Sequence, residues 1–192
     1  MTTTTTTTDL SGSDSQASDW ADDLVGYLAR LKADKAALAD LRSGLRRTAT
    51  QSPRLHRYLA RFVPEPSMGT GREVAVYTVG ALFGRHRDMT TSTGSLGASL
   101  RALVHAKKFS EAGVEQRLRH LVRASDSESL AQLLPAVVAL LDTAGIPISW
   151  AGLARDIRRW DSNKGRVSQR WLRDFYRTTP QTSETTETSE AQ

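Results

Sequence analysis

The sequence predicts an all-α protein of about nine helices, arranged as two small helical bundles between acidic tails. Three observations predict it. Apolar residues recur at i, i+3 or i+4, and i+7 through most of the chain, which is the period of an amphipathic helix. Ser or Asp precedes most of these runs, where a helix needs a side-chain acceptor for its first N–H groups. Arginines then fill the opposite side of several runs.

Residues 1–18 open with seven consecutive threonines and continue rich in Ser, Asp and Gly. With little to bury they are expected to be disordered, as is the tail 178–192. The first helix is expected over 19–33, capped by Asp19, with Trp20, Leu24, Tyr27, Leu28 and Leu31 on one side. A second, 34–48, places Leu38, Leu41 and Leu45 inward and Arg42 and Arg46 one turn apart on its flank. Ser52-Pro53 reads as a cap followed by proline at the first helical position. The helix it opens buries Leu55, Tyr58, Leu59 and Phe62 and carries Arg54, Arg57 and Arg61 on its other side.

Residues 63–71, with two prolines and two glycines, form a loop. Residues 72–83 read as a mostly buried helix, with strand as the competing assignment because the run is β-branched. A polar loop over 84–94 follows, and Ser95 caps a helix carrying Leu96, Leu100, Leu103 and Val104. Ser110 caps the next helix. There Val114, Leu118, Leu121 and Val122 make one face, Arg117 falls at its edge, and Arg119 and Arg123 point away. Ser125 with Glu128 fits a capping box for a long apolar helix reaching about 143, which Pro135 should kink or begin. Gly145 ends it. Ser149 caps a helix with Trp150, Leu153, Ile157 and Trp160 inward and Arg155 and Arg159 outward. A loop from Asp161 leads to the last helix, with Val167, Trp171 and Phe175 inward and Arg170, Arg173 and Arg177 opposite. The two bundles are expected over 19–109 and 110–177.

The charge is unevenly placed. Residues 1–23 hold five aspartates and 178–192 three glutamates, without Lys or Arg in either. The span 24–177 therefore holds all 26 basic residues and the 13 acidic ones that remain of 21, a net +13. Arginine supplies most of the cations, and its planar fork suits phosphate. The central region is expected to meet a polyanion. The absence of cysteine fits a reducing cytoplasm. No secretory signal is expected, since the N-terminus lacks a basic region followed by an apolar one, and no membrane-spanning run, since no 18 consecutive residues are apolar.

Catalysis finds no support. Gly69-Thr70-Gly71 lacks the G-K-[ST] ending of a phosphate loop, and His86-Arg87-Asp88 lacks the other kinase signatures. The histidines at 56, 86, 105 and 120 are scattered, so no metal or other cofactor is expected. Asp156 and Asp174 could pair as acid/base or metal carboxylates, but each lies among arginines and salt bridging is the simpler expectation. Tyr176 is the one aromatic placed on an outer helix face.

The C-terminal half carries a family resemblance. V-E-Q-R-L-R-H-L-V-R-A, the long Leu/Val helix, I-S-W-A-G-L-A-R-D-I-R-R-W-D and V-S-Q-R-W-L-R-D-F-Y together resemble the CasB family. That family is the small subunit of the type I-E CRISPR surveillance complex, Cascade. S-L-G at 95–97 and A-D-L-R at 39–42 fit in order, and the resemblance spans about 20–177. It implies a non-enzymatic protein that sits head to tail with a second copy of itself. The implied partners are crRNA, single-stranded target and non-target DNA, and the backbone and large subunits of the complex. The resemblance matches Arg117 and Arg123 to the basic residues of x-x-R-x-x-x-L-[IV]-R-A. It matches Arg42 to the first of an arginine pair, whose second is Ser43 here, with Arg46 and Arg47 as substitutes. Lys164 and Arg166 fall where the family has basic residues between the two Trp helices. Arg119, Arg54, Arg57 and Arg61 complete the expected nucleic-acid contacts from their helical stripes. A helical regulator reading a specific duplex sequence is the alternative; it would need base-reading side chains at the start of a recognition helix.

Overall fold

The computed structural model describes residues 13–45, 52–86 and 92–177. Its α-helices are α1 Ser13–Arg30, α2 Lys35–Ser43, α3 Pro53–Leu59, α4 Gly71–Arg85, α5 Leu96–His105, α6 Glu111–Val122, α7 Ser127–Ala144 and α8 Trp150–Tyr176. Short 3₁₀ turns occupy Leu31–Ala33, Ala60–Phe62 and Glu65–Ser67, and no strand occurs among the described residues. The fold is all-α. The span 72–83 is helical, and its β-branched residues serve burial, since Ala75, Val76, Tyr77, Val79, Ala81, Leu82 and Phe83 are all buried. A helix apolar on nearly every side belongs at the centre of a domain. α4 is accordingly packed by α1, α2, α3, α7 and α8.

Of the expected caps, Ser95 and Ser110 make the capping bond, whereas Ser52 and Ser149 stand at N-cap positions without a side-chain bond to the helix. Asp34 Oδ1 accepts from the Ala36 and Ala37 N–H groups at 2.9 and 3.0 Å, and Thr70 accepts from Arg72 N–H at 3.3 Å. Ser95 and Ser110 accept from the N–H groups of Ala98 and Gly113. Gly145, at φ 70°, closes α7 in the left-handed conformation.

Several boundaries differ from expectation, among them the start of the polar loop 84–94, since α4 continues through Gly84 and Arg85. α1 begins at Ser13 rather than Asp19, because adding a residue to an existing helix costs far less than starting one. α2 ends at Ser43 with Gly44 as its C-cap, a position packed so closely on the Leu55 side chain that it has no room for a Cβ. Arg46 and Arg47 fall outside the described residues. Asp126 caps α7 in place of Ser125, accepting from Ser129 N–H at 2.7 Å, and α7 runs through Pro135 instead of starting there. The loop expected from Asp161 is shortened to a sharp turn at one non-helical residue, Asn163, at φ −142° and ψ 30°, which divides α8 into two arms. Counting its two arms separately gives nine α-helical segments among the described residues, the number expected.

One cluster of buried side chains draws on all eight helices. α8 packs on α1, α4 and α5 as well as on α6 and α7, so this core is continuous past the α5–α6 turn. At the α5–α8 crossing the backbones nearly touch. A Cβ on Gly97 would overlap the Trp171 carbonyl, lying 2.7 Å from its carbon and 2.8 Å from Trp171 Cα. Gly97→Ala should therefore lower unfolding stability by ~1–3 kcal/mol in urea titrations. Gly165→Ala meets nothing within 4 Å and should leave stability level or slightly raised; equal losses at both sites would contradict this packing.

Candidate nucleic-acid interface

The two arms of α8 form a hairpin. In a straight helix, fifteen residues separate Asp156 from Trp171 by about 22 Å, yet Trp171 Nε1 donates to Asp156 Oδ2 at 2.7 Å. The second arm therefore folds back along the first. The Trp160 and Trp171 rings meet between the arms with centroids 5.3 Å apart, and the Arg170 guanidinium donates to Asp156 Oδ1. The turn is local chemistry: Ser162, Asn163 and Gly165 are weak helix formers, and Asp161 aims its carboxylate elsewhere. Both Asp161 oxygens accept from Ser127, one from its N–H and one from its hydroxyl, each at 2.7 Å. Trp160 Nε1 donates to the Ala124 carbonyl at 3.2 Å, so the turn is tied to the α6–α7 connection.

Between the arms lies a groove of about 760 Å³. Arg158, Arg159 and Ser162 line it from the first arm, and Arg166, Gln169, Arg170 and Arg173 from the second. Asp156 forms its floor and is 2% exposed. Burial pushes the Asp156 carboxyl above the ordinary range, against the opposing pull of Arg170 and Trp171. Five guanidiniums thus line a groove whose floor carboxylate Arg170 already engages, and Arg173 also pairs with the neighbouring Asp174 at 3.5 Å. A second depression, of about 630 Å³, shares Asp156, Arg159 and Arg170 with the first and extends past Gly94, Ser95 and Arg155.

Asp156 and Asp174 serve separate contacts. Asp174 accepts from the Ser95 hydroxyl at 2.6 Å, which joins S-L-G to the closing W-x-x-D-F segment. No group of three or more His, Asp or Glu suited to a metal occurs among the described residues.

The expected cations lie on three surfaces. Arg166 lines the groove, while Lys164 is half-buried in the turn. On α6, Arg117 is exposed with its guanidinium on the Gly113 carbonyl at 2.7 Å, and Arg123 is exposed at the C-cap. Arg119 pairs with Glu115, and the Tyr176 hydroxyl donates to the same carboxylate. Those bonds, Tyr176 first and Arg119 next, hold the Glu115 carboxyl below the usual range. The third surface is more engaged. Arg57 pairs with Asp40 at 3.1 Å and lies over Tyr58 at 4.5 Å, Arg61 lies over Tyr27 at 5.3 Å, and Arg42 Nε donates to the Leu38 carbonyl at 3.1 Å. Arg54 is exposed. Arg158, Arg159, Arg170 and Arg173 were not among the expected contacts. Their signal was present as two arginine-bearing helix faces, but only the hairpin turns those faces toward each other.

Comparison with known proteins adds a consistent result. Residues 37–176 match the family described as CRISPR-associated protein Cse2. A Thermus thermophilus protein of that description is 30% identical over 158 residues, covering 82% of this chain and 86% of its own length. A chain in a structure of a CRISPR RNA-guided surveillance complex superposes with TM-score 0.74 at 27% identity, over 83% of this chain and 92% of that one. CasB from M. ruber superposes with TM-score 0.67 at 28% identity, over 83% and 93%.

Asp156→Ala should cost ~3 kcal/mol in denaturant titrations, since it strands the Trp171 N–H and unpairs Arg170. A pH series gives a second check. A carboxyl with a raised folded-state pKa adds stability fully below its unfolded pKa and loses it as pH rises through the folded one. The stability of the parent minus that of Asp156→Asn should therefore fall as pH rises from about 3.8; a rising difference would contradict the burial argument.

Proposed function

The chain belongs to the CRISPR-associated Cse2 family, and from that premise we propose that it is a non-catalytic small subunit of a type I-E CRISPR surveillance complex, Cascade. In this reading it binds beside the crRNA-bearing backbone and large subunits, head to tail with a second copy. It holds target and displaced DNA strands of the R-loop by their phosphates. The arginine groove between the arms of α8 is the observation that carries the reading. Guanidiniums fixed on two packed helices contact phosphate at little ordering cost, and backbone contact needs no base-reading groups.

The energetics suit such a role. Exchanging a DNA duplex for an RNA–DNA hybrid is nearly balanced, so modest protein–phosphate contacts tip it. The exposed Arg117 and Arg123 on α6 offer a second set of contacts. The α2–α3 surface offers a third set, in which Arg57 and Arg61 are held by Asp40 and by aromatic rings.

Fluorescence anisotropy of the full chain with labelled single-stranded DNA, single-stranded RNA and duplex DNA tests the proposal. Single strands should bind irrespective of sequence, with log K falling by about 0.7 per phosphate contact against log salt. Replacing Arg158, Arg166 and Arg173 together by Ala should weaken binding about tenfold or more and flatten that slope by about 2, with helicity intact. Arg117→Ala with Arg123→Ala should weaken it further. Tight preference for one duplex sequence would favour the regulator instead.

A further inference from the structure

The chain has four Trp, four Tyr and four Phe, and all lie among the described residues. Eleven are buried or half-buried; Tyr176 is 50% exposed. An exposed ring at a helix end needs no explanation by itself, but this one is held and placed.

Its hydroxyl donates to Glu115 on α6. Glu115 is fixed in turn by Arg119. Phe175 meets the ring edge-on, with centroids 5.1 Å apart and planes at 83°. The phenol is kept protonated, its pKa raised chiefly by the bond to Glu115. The ring therefore presents surface to solvent with little freedom left to lose on binding.

Its neighbours are cations. Arg173, Tyr176 and Arg177 line a shallow depression of about 620 Å³, and Arg173 also lines the main groove. Along the second arm of α8, Arg166, Arg170 and Arg173 stand at i, i+4 and i+7, about 10 Å of one helix edge, and Arg177 follows at the C-cap, where the backbone turns extended. A strand whose phosphates follow that edge leaves it beside Tyr176.

We propose that Tyr176 is a stacking platform for one nucleobase of the single strand that occupies the arginine groove. Every base has a π-face, so such a platform adds affinity without sequence choice. The inference rests on the groove being a single-strand path, and the test separates the two ideas.

The full chain is titrated by anisotropy with a labelled mixed-sequence DNA strand and with an abasic sugar-phosphate strand of equal length. Tyr176→Ala should weaken the base-bearing strand at least about fivefold and leave the abasic strand unchanged. Tyr176→Phe, which keeps the ring, should stay within about twofold of the parent. Arg173→Ala should weaken both strands. Equal losses for Tyr176→Ala on the two strands would overturn the platform and leave a structural role. No loss on either strand, with Arg173→Ala still weakening both, would overturn the platform while sparing the groove. No effect from either substitution would overturn both.

Discussion

The buried carboxylate of Asp156 organises this molecule. It accepts the Trp171 indole N–H and engages the Arg170 guanidinium, and in doing so clasps the two arms of α8 together. A carboxylate this far from water is tolerated only when its lone pairs are taken up by donors. Both donors come from the arm on the far side of Asn163. The hairpin and the satisfied charge are one requirement, and neither is met without the other.

From that clasp the remaining architecture follows by contact. Holding Trp171 in place brings its backbone against Gly97 at the start of α5, and three residues later Asp174 receives the Ser95 hydroxyl. At the other end, Asp161 caps α7 through Ser127, while Trp160 bonds the carbonyl of Ala124. Thus α5, α6 and α7 are each referred to one hairpin. Guanidiniums on its two arms face one groove because the apolar sides of those arms are spent on each other and on α4. The charged surface is the complement of the packing.

Much of this was legible from the residues. Helical period located every α-helix among the described residues, including α4, whose valines also suit a strand, while capping residues fixed the starts of only some, α5 and α6 among them. What they could not locate were ends decided by tertiary contact. Gly44 meets Leu55 only in the folded chain, where α2 ends, and Asp126 rather than Ser125 accepts from Ser129 N–H to cap α7. The arginine groove was hidden for the same reason. Arg159 and Arg170 each read as part of an outward face, and pairwise stripes carry no information on how two helices are folded together. The resemblance to a family supplied positions such as Arg166 but not its groove neighbours.

The single non-helical residue at Asn163 has an evolutionary corollary. Each residue added to a helix turns everything beyond it by about 100°. One insertion at the turn would rotate the second arm so that Trp171 left its place opposite Asp156 and a charged neighbour faced the core. A deletion would do the same in the opposite sense. The turn can accept many residue types but essentially one length. Along lineages, substitutions should accumulate between Asp161 and Arg166 while gaps there stay rare, so that the segment acts as a counted spacer whose phase, more than its spelling, is inherited.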